Sequence, residues 1–234
     1  MSEVLKISNL SFSYGEAQVL FSINISVGEL ATGIVGRNGA GKTTLLKTIA
    51  GLEKPSSGKI LLEGGDITNM PPWDIAKLGI SYVPQDKGVF SSLTAYEHLL
   101  MAANAKLGKD QTRKDEEIQR AMEYFPGLRK VKDSRASNLS GGERQMLNIA
   151  MALFGSTRLL MLDEPTEGLA PALTRTFGEV LKDKEREIPM MLVEQNVPLL
   201  RDVCERVYVL EEGRIVHEDA SKDEVRNGGF ARFL

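Results

Sequence analysis

Apolar and polar positions over the first 35 residues follow the pattern of short strands. We predict strands at LKISNL, VLFSINI and ELATGIV, with breaks near Gly15 and at Gly28. The third strand runs directly into a glycine-rich segment. The stretch TLLKTIAGL after that segment places Leu45 and Ile49 at helical spacing, and Gly51 is a natural end for the helix. This part of the chain therefore has the order strand, loop, helix.

The pattern then continues with strands and helices, with one long helical interruption. KILLEGGDI and ISYVPQ predict strands on either side of a short helix, PPWDIAKLG. From about Thr94 to Phe125 the pattern is helical, and the charged run GKDQTRKDEEIQR within it indicates a solvated face. A further helix is predicted from Gly141 to Phe154. Residues 87–154 therefore form an all-helical insert between strands of one sheet.

After the insert the alternation of strands and helices resumes. RLLMLDEP, PMMLVEQ, RVYVLEEG and RIVHE predict strands, while ALTRTFGEVLKDKERE, VPLLRDVCE and KDEVRNG predict helices. We predict a single domain over residues 1–234. Residues 1–86 and 155–234 would form its core, and residues 87–154 its helical subdomain.

Composition and charge narrow the classes of protein that this chain can belong to. Its 234 residues are 42% hydrophobic and 26% charged, which is typical of folded globular proteins. A net charge of -3 supplies no broad basic field, so nucleic acid is not expected as a partner. The N-terminus does not resemble a secretory signal, and no apolar run reaches the roughly 20 residues that cross a bilayer. We expect a cytoplasmic protein in which Cys204 is a small core residue.

The glycine-rich segment GRNGAGKTT matches the pattern G-x-x-x-x-G-K-[ST]. In this pattern the backbone N–H groups close around phosphate oxygens, and the lysine reaches the β and γ phosphates of a nucleotide. Lys42 is that lysine, and the Thr43 hydroxyl is expected to ligate Mg²⁺. The alternative is an ordinary glycine-rich turn before a helix. The residues expected to bind ATP here are Gly36, Arg37, Asn38, Gly39, Ala40, Gly41, Lys42, Thr43 and Thr44.

An apolar strand pattern, LLMLDE, ends in two adjacent carboxylates. A nucleotide-hydrolysing site needs a metal anchor and a group that activates water at such a strand end. We predict that Asp163 holds Mg²⁺ through water and that Glu164 orients and polarises the attacking water. Alone, the pair would fit a solvated loop equally well. Together with the phosphate-binding loop, it indicates hydrolysis.

A third motif, LSGGE, begins at Leu139, about twenty residues before the carboxylate pair. A serine and two glycines at the start of a predicted helix form a second anion-binding helix terminus. A flexible helix start is the alternative interpretation. Kinases and GTPases have no use for this motif at this position, so it narrows the class of nucleotide-binding protein.

In this order, GRNGAGKTT, the VPQ strand end, LSGGE and LLMLDEP resemble the ATP-binding-cassette (ABC) ATPases over nearly the whole chain. The resemblance implies an α/β fold: a P-loop NTPase (RecA-like) core with an N-terminal antiparallel β-subdomain and an inserted α-helical subdomain. It implies that Tyr14 stacks on adenine, with packing inside a strand as the alternative. It also implies that Gln85 reaches Mg²⁺ and the attacking water, and that it marks a hinge to the insert.

The family's signature sequence acts across a dimer. The resemblance therefore implies that Ser140, Gly141 and Gly142 contact the γ phosphate of ATP held by a second ABC ATPase subunit. Two positions depart from the general family pattern. Gln195 stands where a histidine is usual, and it cannot take up a proton in the working pH range. Ala170 replaces the usual aspartate, so the resemblance does not extend to communication between the two sites through this position.

The segments VEQN and EGLAP, with a short C-terminus, resemble the ATP-binding subunits of branched-chain amino-acid importers. Urea and short-chain amide importers share much of this pattern. The resemblance implies that this chain hydrolyses ATP while it is docked on membrane permease subunits. These subunits would dock near Gly88–Glu97 and hold the chain at the inner face of the membrane. It implies a second ATPase subunit, related or identical, and an indirect link to a solute-binding protein.

Two other functional hypotheses remain open from the sequence. One is a soluble ABC ATPase scaffold of the iron-sulfur assembly type, which no cluster of metal ligands supports. The other is a regulatory module with a failed active site, suggested by Gln195 and opposed by the intact Lys42, Asp163 and Glu164. The two histidines, His98 on a predicted surface helix and His217 in a strand, do not cluster. We expect neither of them to bind a metal.

Overall fold

The computed structural model describes residues 3–85, 88–184 and 187–233. These residues form two sheets and a set of helices. The strands are β1 (Leu5–Tyr14), β2 (Ala17–Val27), β3 (Thr32–Val35), β4 (Ser57–Leu62), β5 (Gly65–Asp66), β6 (Ile80–Val83), β7 (Leu159–Asp163), β8 (Met190–Val193), β9 (Arg206–Glu211) and β10 (Arg214–Asp219). The α-helices are α1 (Lys42–Ile49), α2 (Pro72–Lys77), α3 (Ala95–Leu107), α4 (Gln111–Tyr124), α5 (Pro126–Val131), α6 (Gly141–Ala152), α7 (Pro171–Lys184), α8 (Val197–Val203) and α9 (Lys222–Asn227). Short 3-10 helices span Ala136–Asn138 and Gly229–Phe233.

The two sheets differ in strand direction. The smaller sheet has the order β2-β1-β4-β5 and is antiparallel throughout. The larger sheet has the order β10-β9-β3-β8-β7-β6, and its strands from β9 to β6 run parallel. Only β10 pairs antiparallel within it, with β9. The predicted α/β core with an N-terminal antiparallel β-subdomain is confirmed.

The central strands of the larger sheet are buried on both faces. On β7, Leu160 and Leu162 join a core shared with the helical subdomain. Leu159 and Met161 point the other way, into a core shared with the antiparallel sheet and α1. Because side chains alternate along a strand, an unbroken apolar run fills both cores at once. Packing on both faces therefore holds the strands that lead to the sheet edge.

The insert is helical within the described residues 88–154, and β6 and β7 on either side of it are neighbours in the sheet. The expectation of one helical stretch from Thr94 to Phe125 is only partly right. The stretch divides into α3 and α4, because Gly108 has a φ of 62° and the side chain of Asp110 caps the start of α4. The predicted boundary between residues 86 and 87 lies outside the described residues, as do residues 185 and 186 of the predicted helix that includes α7.

His98 lies on α3, which exposes Tyr96 and Met101 as expected of a surface helix, but the His98 side chain itself is fully buried. Its Nε2 accepts a hydrogen bond from the Phe90 main-chain N–H at 2.8 Å, so the proton of the neutral ring is on Nδ1. That Nδ1 donates to the Thr94 carbonyl oxygen at 2.8 Å. His98 thus ties the segment before α3 to the first turn of that helix. Cys204 is buried, as expected for a core residue.

Candidate nucleotide site

Four of the sequence motifs meet at one edge of the larger sheet. The strands β3, β8, β7 and β6 are consecutive parallel neighbours, so their carboxyl ends lie at the same edge. The phosphate-binding loop follows β3, Gln195 follows β8, Asp163 and Glu164 end β7, and Gln85 follows β6. Residues that are up to 157 positions apart in sequence therefore share hydrogen bonds here.

Glycine is required at several points of the phosphate-binding loop. Gly39 and Gly41 have φ values of 82° and 105°, in a region that residues other than glycine rarely adopt. A Cβ atom on Gly36 would lie 2.1 Å from the Leu210 carbonyl oxygen. Helix α1 begins after Gly41 with no side-chain cap on its N-terminus. Its first main-chain N–H groups therefore face the loop, where they can bind an anion.

The side chain of Lys42 lies under this loop and is only 5% exposed. Its Nζ donates to the carbonyl oxygens of Gly36 at 2.7 Å and Arg37 at 3.1 Å. The same atom lies 3.0 Å from Glu164 Oε1. The ammonium group is therefore held between the phosphate-binding loop and the carboxylate that ends β7.

Asp163 is fully buried at the end of β7. Its Oδ2 accepts a hydrogen bond from the Tyr82 hydroxyl at 3.2 Å, while its Oδ1 has no hydrogen-bond partner among the described residues. Burial raises the pKa of Asp163, the hydroxyls of Thr43 and Tyr82 lower it, and the neighbouring charge of Glu164 raises it. A buried carboxylate oxygen without a partner, near a threonine hydroxyl, fits a hard divalent cation such as Mg²⁺.

The raised pKa of Asp163 predicts the stability of a variant. The folded pKa lies above the unfolded value of 3.8, so the folded chain binds this proton more tightly. The resulting stabilisation is complete below the unfolded pKa and is lost as pH rises through the folded pKa. At pH 7 the charged carboxylate therefore costs stability. We expect Asp163→Asn to raise the melting temperature by about 2–4 °C in thermal denaturation without Mg²⁺ or nucleotide.

Asp66→Asn is the matched control for this prediction. Hydrogen bonds from Thr68 lower the pKa of the exposed Asp66, which is the opposite direction from Asp163. Removing the charge of Asp66 should therefore not raise the melting temperature at pH 7. A lower melting temperature for Asp163→Asn than for the unmodified chain would contradict the expected effect.

Glu164 has a strained backbone. Its φ is 46°, in the left-handed region that favours glycine. Its main-chain N–H donates to the Val193 carbonyl oxygen at 2.9 Å. Its side-chain Oε1 accepts a hydrogen bond from Gln195 Nε2 at 3.0 Å and also faces Lys42. Contacts from two neighbouring segments thus hold this carboxylate at the sheet edge.

The two glutamines lie on either side of Glu164. The Nε2 of Gln195 donates to Asn38 Oδ1 at 2.6 Å as well as to Glu164. The Nε2 of Gln85 donates to Glu167 Oε2 at 2.5 Å and lies 3.5 Å from Glu164 Oε2. The structure therefore brings Gln195 into direct contact with the phosphate-binding loop, while Gln85 lies mainly against Glu167.

The LSGGE motif makes contacts elsewhere in the chain. Ser140 caps α6, and its hydroxyl and main-chain N–H both donate to Glu143 Oε2 at 2.7 Å. A Cβ atom on Gly142 would lie 2.4 Å from Leu173 Cδ1, so α6 packs closely against the start of α7 at this glycine. The structure shows a well-capped helix start here. It does not join Ser140, Gly141 or Gly142 to Lys42 by any described hydrogen bond or ion pair.

Tyr14 ends β1 and is 47% exposed. Its ring contacts Phe12 edge to face, with 4.7 Å between centroids, and its hydroxyl donates to Glu53 Oε1 at 3.3 Å. Tyr14 therefore packs against Phe12 and keeps about half of its surface exposed. Ala170 directly precedes α7, and its carbonyl oxygen accepts the Leu173 and Thr174 main-chain N–H groups.

One residue of this site, Glu194, was not singled out in the sequence. It is 3% exposed and directly follows β8. Its carboxylate accepts hydrogen bonds from the main-chain N–H groups of Thr166, after β7, and Asn196, after β8. The signal that could have found it is the repeated pattern of an apolar strand ending in a carboxylate. LLMLDE has this pattern, and so does MMLVE.

Comparisons with known proteins agree with this geometry. Residues 8–167 match the family described as ABC transporter. The probable branched-chain amino acid transport ATP-binding protein LivF of Archaeoglobus fulgidus is 38% identical over 232 residues, covering 98% of this chain and 97% of the relative. The high-affinity branched-chain amino acid transport ATP-binding protein BraG of Pseudomonas aeruginosa is 39% identical over 222 residues, covering 92% of each.

A solved structure gives the same result for the fold. The ADP conformation of MJ1267, an ATP-binding cassette of an ABC transporter, matches with a TM-score of 0.81 at 28% identity, covering 97% of this chain and 94% of the other. Within residues 3–85, 88–184 and 187–233, we find no helix with the length and apolar character that a membrane span requires. The chain belongs to the ABC transporter family and is an ATPase of the ATP-binding-cassette type.

Proposed function

We propose that this chain powers the import of a small solute, with branched-chain or other hydrophobic amino acids as the cargo. The observation that carries the proposal is the arrangement around Glu164 Oε1 beside the phosphate-binding loop. Lys42 Nζ and Gln195 Nε2 each lie 3.0 Å from this oxygen. The printed names of LivF and BraG support the cargo. Urea or short-chain amides are the alternative cargo, because their importers share the VEQN and EGLAP pattern.

In this proposal the residues at the sheet edge divide the work of hydrolysis. The loop from Gly36 to Thr44 binds the phosphates, and Lys42 contacts the β and γ phosphate oxygens. Glu164 orients and polarises the attacking water, with Gln195 holding its carboxylate and contacting the γ phosphate. Tyr14 stacks on adenine through its exposed ring.

The cation site fits the same arrangement. Thr43, Asp163 and Gln85 would hold Mg²⁺, with Asp163 acting through water. When bound, the ion would supply positive charge beside the β and γ phosphates. The buried Oδ1 of Asp163, which has no partner among the described residues, is the feature that supports this assignment.

The signature residues would act on a second chain. Ser140, Gly141 and Gly142 lie at the N-terminus of α6, where main-chain N–H groups can bind a phosphate. We propose that they contact the γ phosphate of ATP bound by a partner ATPase subunit. A related chain is the favoured partner, and an identical chain is the alternative.

A groove beside Gln85 supports docking on permease subunits. It measures about 770 Å³ and lies between β6 of the core and helices α3 and α6 of the insert. Its lining includes Pro84, Gly88, Ala102 and Met151. The adjoining Phe90 is 58% exposed. We propose that the permease contacts residues 88–97 and this groove, which would place the chain at the inner face of the membrane.

Affinity capture from native membranes tests this function. The full chain should retain permease subunits in detergent, and their associated solute-binding protein should bind a hydrophobic amino acid. We expect Phe90→Asp to reduce permease recovery about tenfold, because a charge would replace an apolar contact. Nucleotide binding by that variant should be unchanged.

Val216→Asp is the matched control, since Val216 is 45% exposed and lies on β10, at the opposite edge of the larger sheet from β6 and the groove. Its permease recovery should equal that of the unmodified chain. A chain that stays soluble and captures no permease would instead indicate the scaffold alternative. Capture of a permease and a binding protein that take up only urea or amides would replace the proposed cargo.

A further inference from the structure

The carboxylate of Glu194 is the acceptor for donors from two loops. Its Oε1 accepts from the Thr166 main-chain N–H at 2.9 Å and from the Thr166 hydroxyl at 2.5 Å. Its Oε2 accepts from the main-chain N–H groups of Gln195 at 2.9 Å and Asn196 at 3.1 Å. A carboxylate that is 3% exposed thus receives four hydrogen bonds.

The two loops joined in this way are those that carry the hydrolytic residues. Thr166 lies two residues after Glu164, and Gln195 is the residue next to Glu194. The main-chain N–H of Glu194 also donates to the Ile34 carbonyl oxygen on β3, the strand that leads into the phosphate-binding loop. Glu194 therefore connects all three strand ends that surround the Lys42 ammonium group.

We propose that Glu194 is a positioning residue for ATP hydrolysis. It holds the Gln195 main chain so that the Gln195 amide contacts Glu164 Oε1 and Asn38 Oδ1 together. It holds the loop after Glu164 through Thr166. The inference rests on the proposed roles of Glu164 and Gln195, and it assigns Glu194 no contact with substrate.

Chemistry explains why a carboxylate is needed. Three of the four donors are main-chain N–H groups, which cannot turn away or act as acceptors. A glutamine offers one oxygen and an –NH₂ group, and the –NH₂ group would face a donor whichever way the amide is turned. In Glu194→Gln at least one buried N–H therefore loses its acceptor. The Glu194→Gln variant changes this network without changing the size of the side chain.

Hydrogen exchange on the full chain without nucleotide gives a readout that does not depend on activity. We expect either the Thr166 amide or the Gln195 and Asn196 amides to exchange about tenfold faster or more in Glu194→Gln, since the donors that face the –NH₂ group lose their acceptor. Asp219→Asn is the matched control. Asp219 is also buried and accepts a main-chain N–H, that of Phe230 at 2.9 Å. Asp219→Asn should leave all three amides unchanged, and unchanged protection of all three in Glu194→Gln would overturn the proposal.

Kinetics of the captured transporter test whether Glu194 acts through Gln195. We expect Glu194→Gln to lower kcat about tenfold while the KM for ATP changes less than about twofold. In a Gln195→Ala background the same substitution should lower kcat less than about threefold, because the residue it positions is already gone. Thr166→Val should lower kcat because it removes the hydroxyl that donates to Glu194. Thr166→Ser keeps a hydroxyl and should have the kcat of the unmodified chain.

Equal losses of kcat from Glu194→Gln in the two backgrounds would overturn the positioning role. If instead the proposed role of Glu164 in hydrolysis is wrong, Glu164→Gln would keep its turnover. The two failures are therefore distinguishable in one set of variants.

Discussion

The Glu164→Gln variant is expected to lose ATP turnover by about 10²- to 10⁴-fold, the usual contribution of a positioned general base. Glutamine keeps the size of the side chain but cannot accept a proton from water. The strained backbone at φ 46° and the contact of Oε1 with Gln195 at 3.0 Å hold the side chain in one place. ATP should therefore bind and remain uncleaved. Phosphate-release assays should show this loss of turnover, and gel filtration should show an ATP-trapped dimer.

Glu212→Gln is the matched control for this variant. Glu212 also has a left-handed backbone, with a φ of 45°, but it is exposed in the turn after β9. Its turnover should equal that of the unmodified chain. Substantial hydrolysis by Glu164→Gln would remove Glu164 from its proposed role, and no hydrolysis by the unmodified complex would contradict its ATPase activity.

Lys42→Ala is expected to weaken ATP binding about 100-fold, because it removes a buried cation from the phosphate site. In the unmodified chain the Lys42 ammonium group donates to the Gly36 and Arg37 carbonyl oxygens and pairs with Glu164. Alanine supplies no charge for the phosphates and leaves Glu164 without its cation. Isothermal titration calorimetry with ATP should show the loss directly.

The control for Lys42→Ala lies on the same helix. Lys47 is in the last turn of α1, away from the phosphate-binding loop, and Lys47→Ala should bind ATP as the unmodified chain does. Circular dichroism should show that both variants remain folded. ATP binding by Lys42→Ala within about threefold of the control would contradict the assigned phosphate contact.

Much of the fold was predictable because its elements have strong local signals. The apolar runs RLLMLDEP and PMMLVEQ predicted strands, and they became β7 and β8, which the two cores bury on both faces. The loop from Gly36 to Thr44 was predicted from its glycines and lysine. The left-handed φ values of Gly39 and Gly41 give the physical reason for those glycines.

The errors came from residues whose environment is set by distant or irregular contacts. His98 shares the buried face of α3 with Ala95 and Leu99, and the segment before α3 folds back so that the Phe90 N–H meets its ring. The single helical stretch expected from Thr94 to Phe125 ignored Gly108, which ends α3 with a positive φ of 62°.

The sequence by itself determined which chemical groups the site has: a phosphate-binding loop, an acidic pair, two glutamines and a signature helix. Only the tertiary structure decided which of these meet. The order β3-β8-β7-β6 brings Lys42, Glu164 and Gln195 together and joins their loops through Glu194, whereas Ser140 caps a helix in the insert. The physical reason is that motifs depend on neighbouring residues, while strand order depends on burying both faces of the sheet at once.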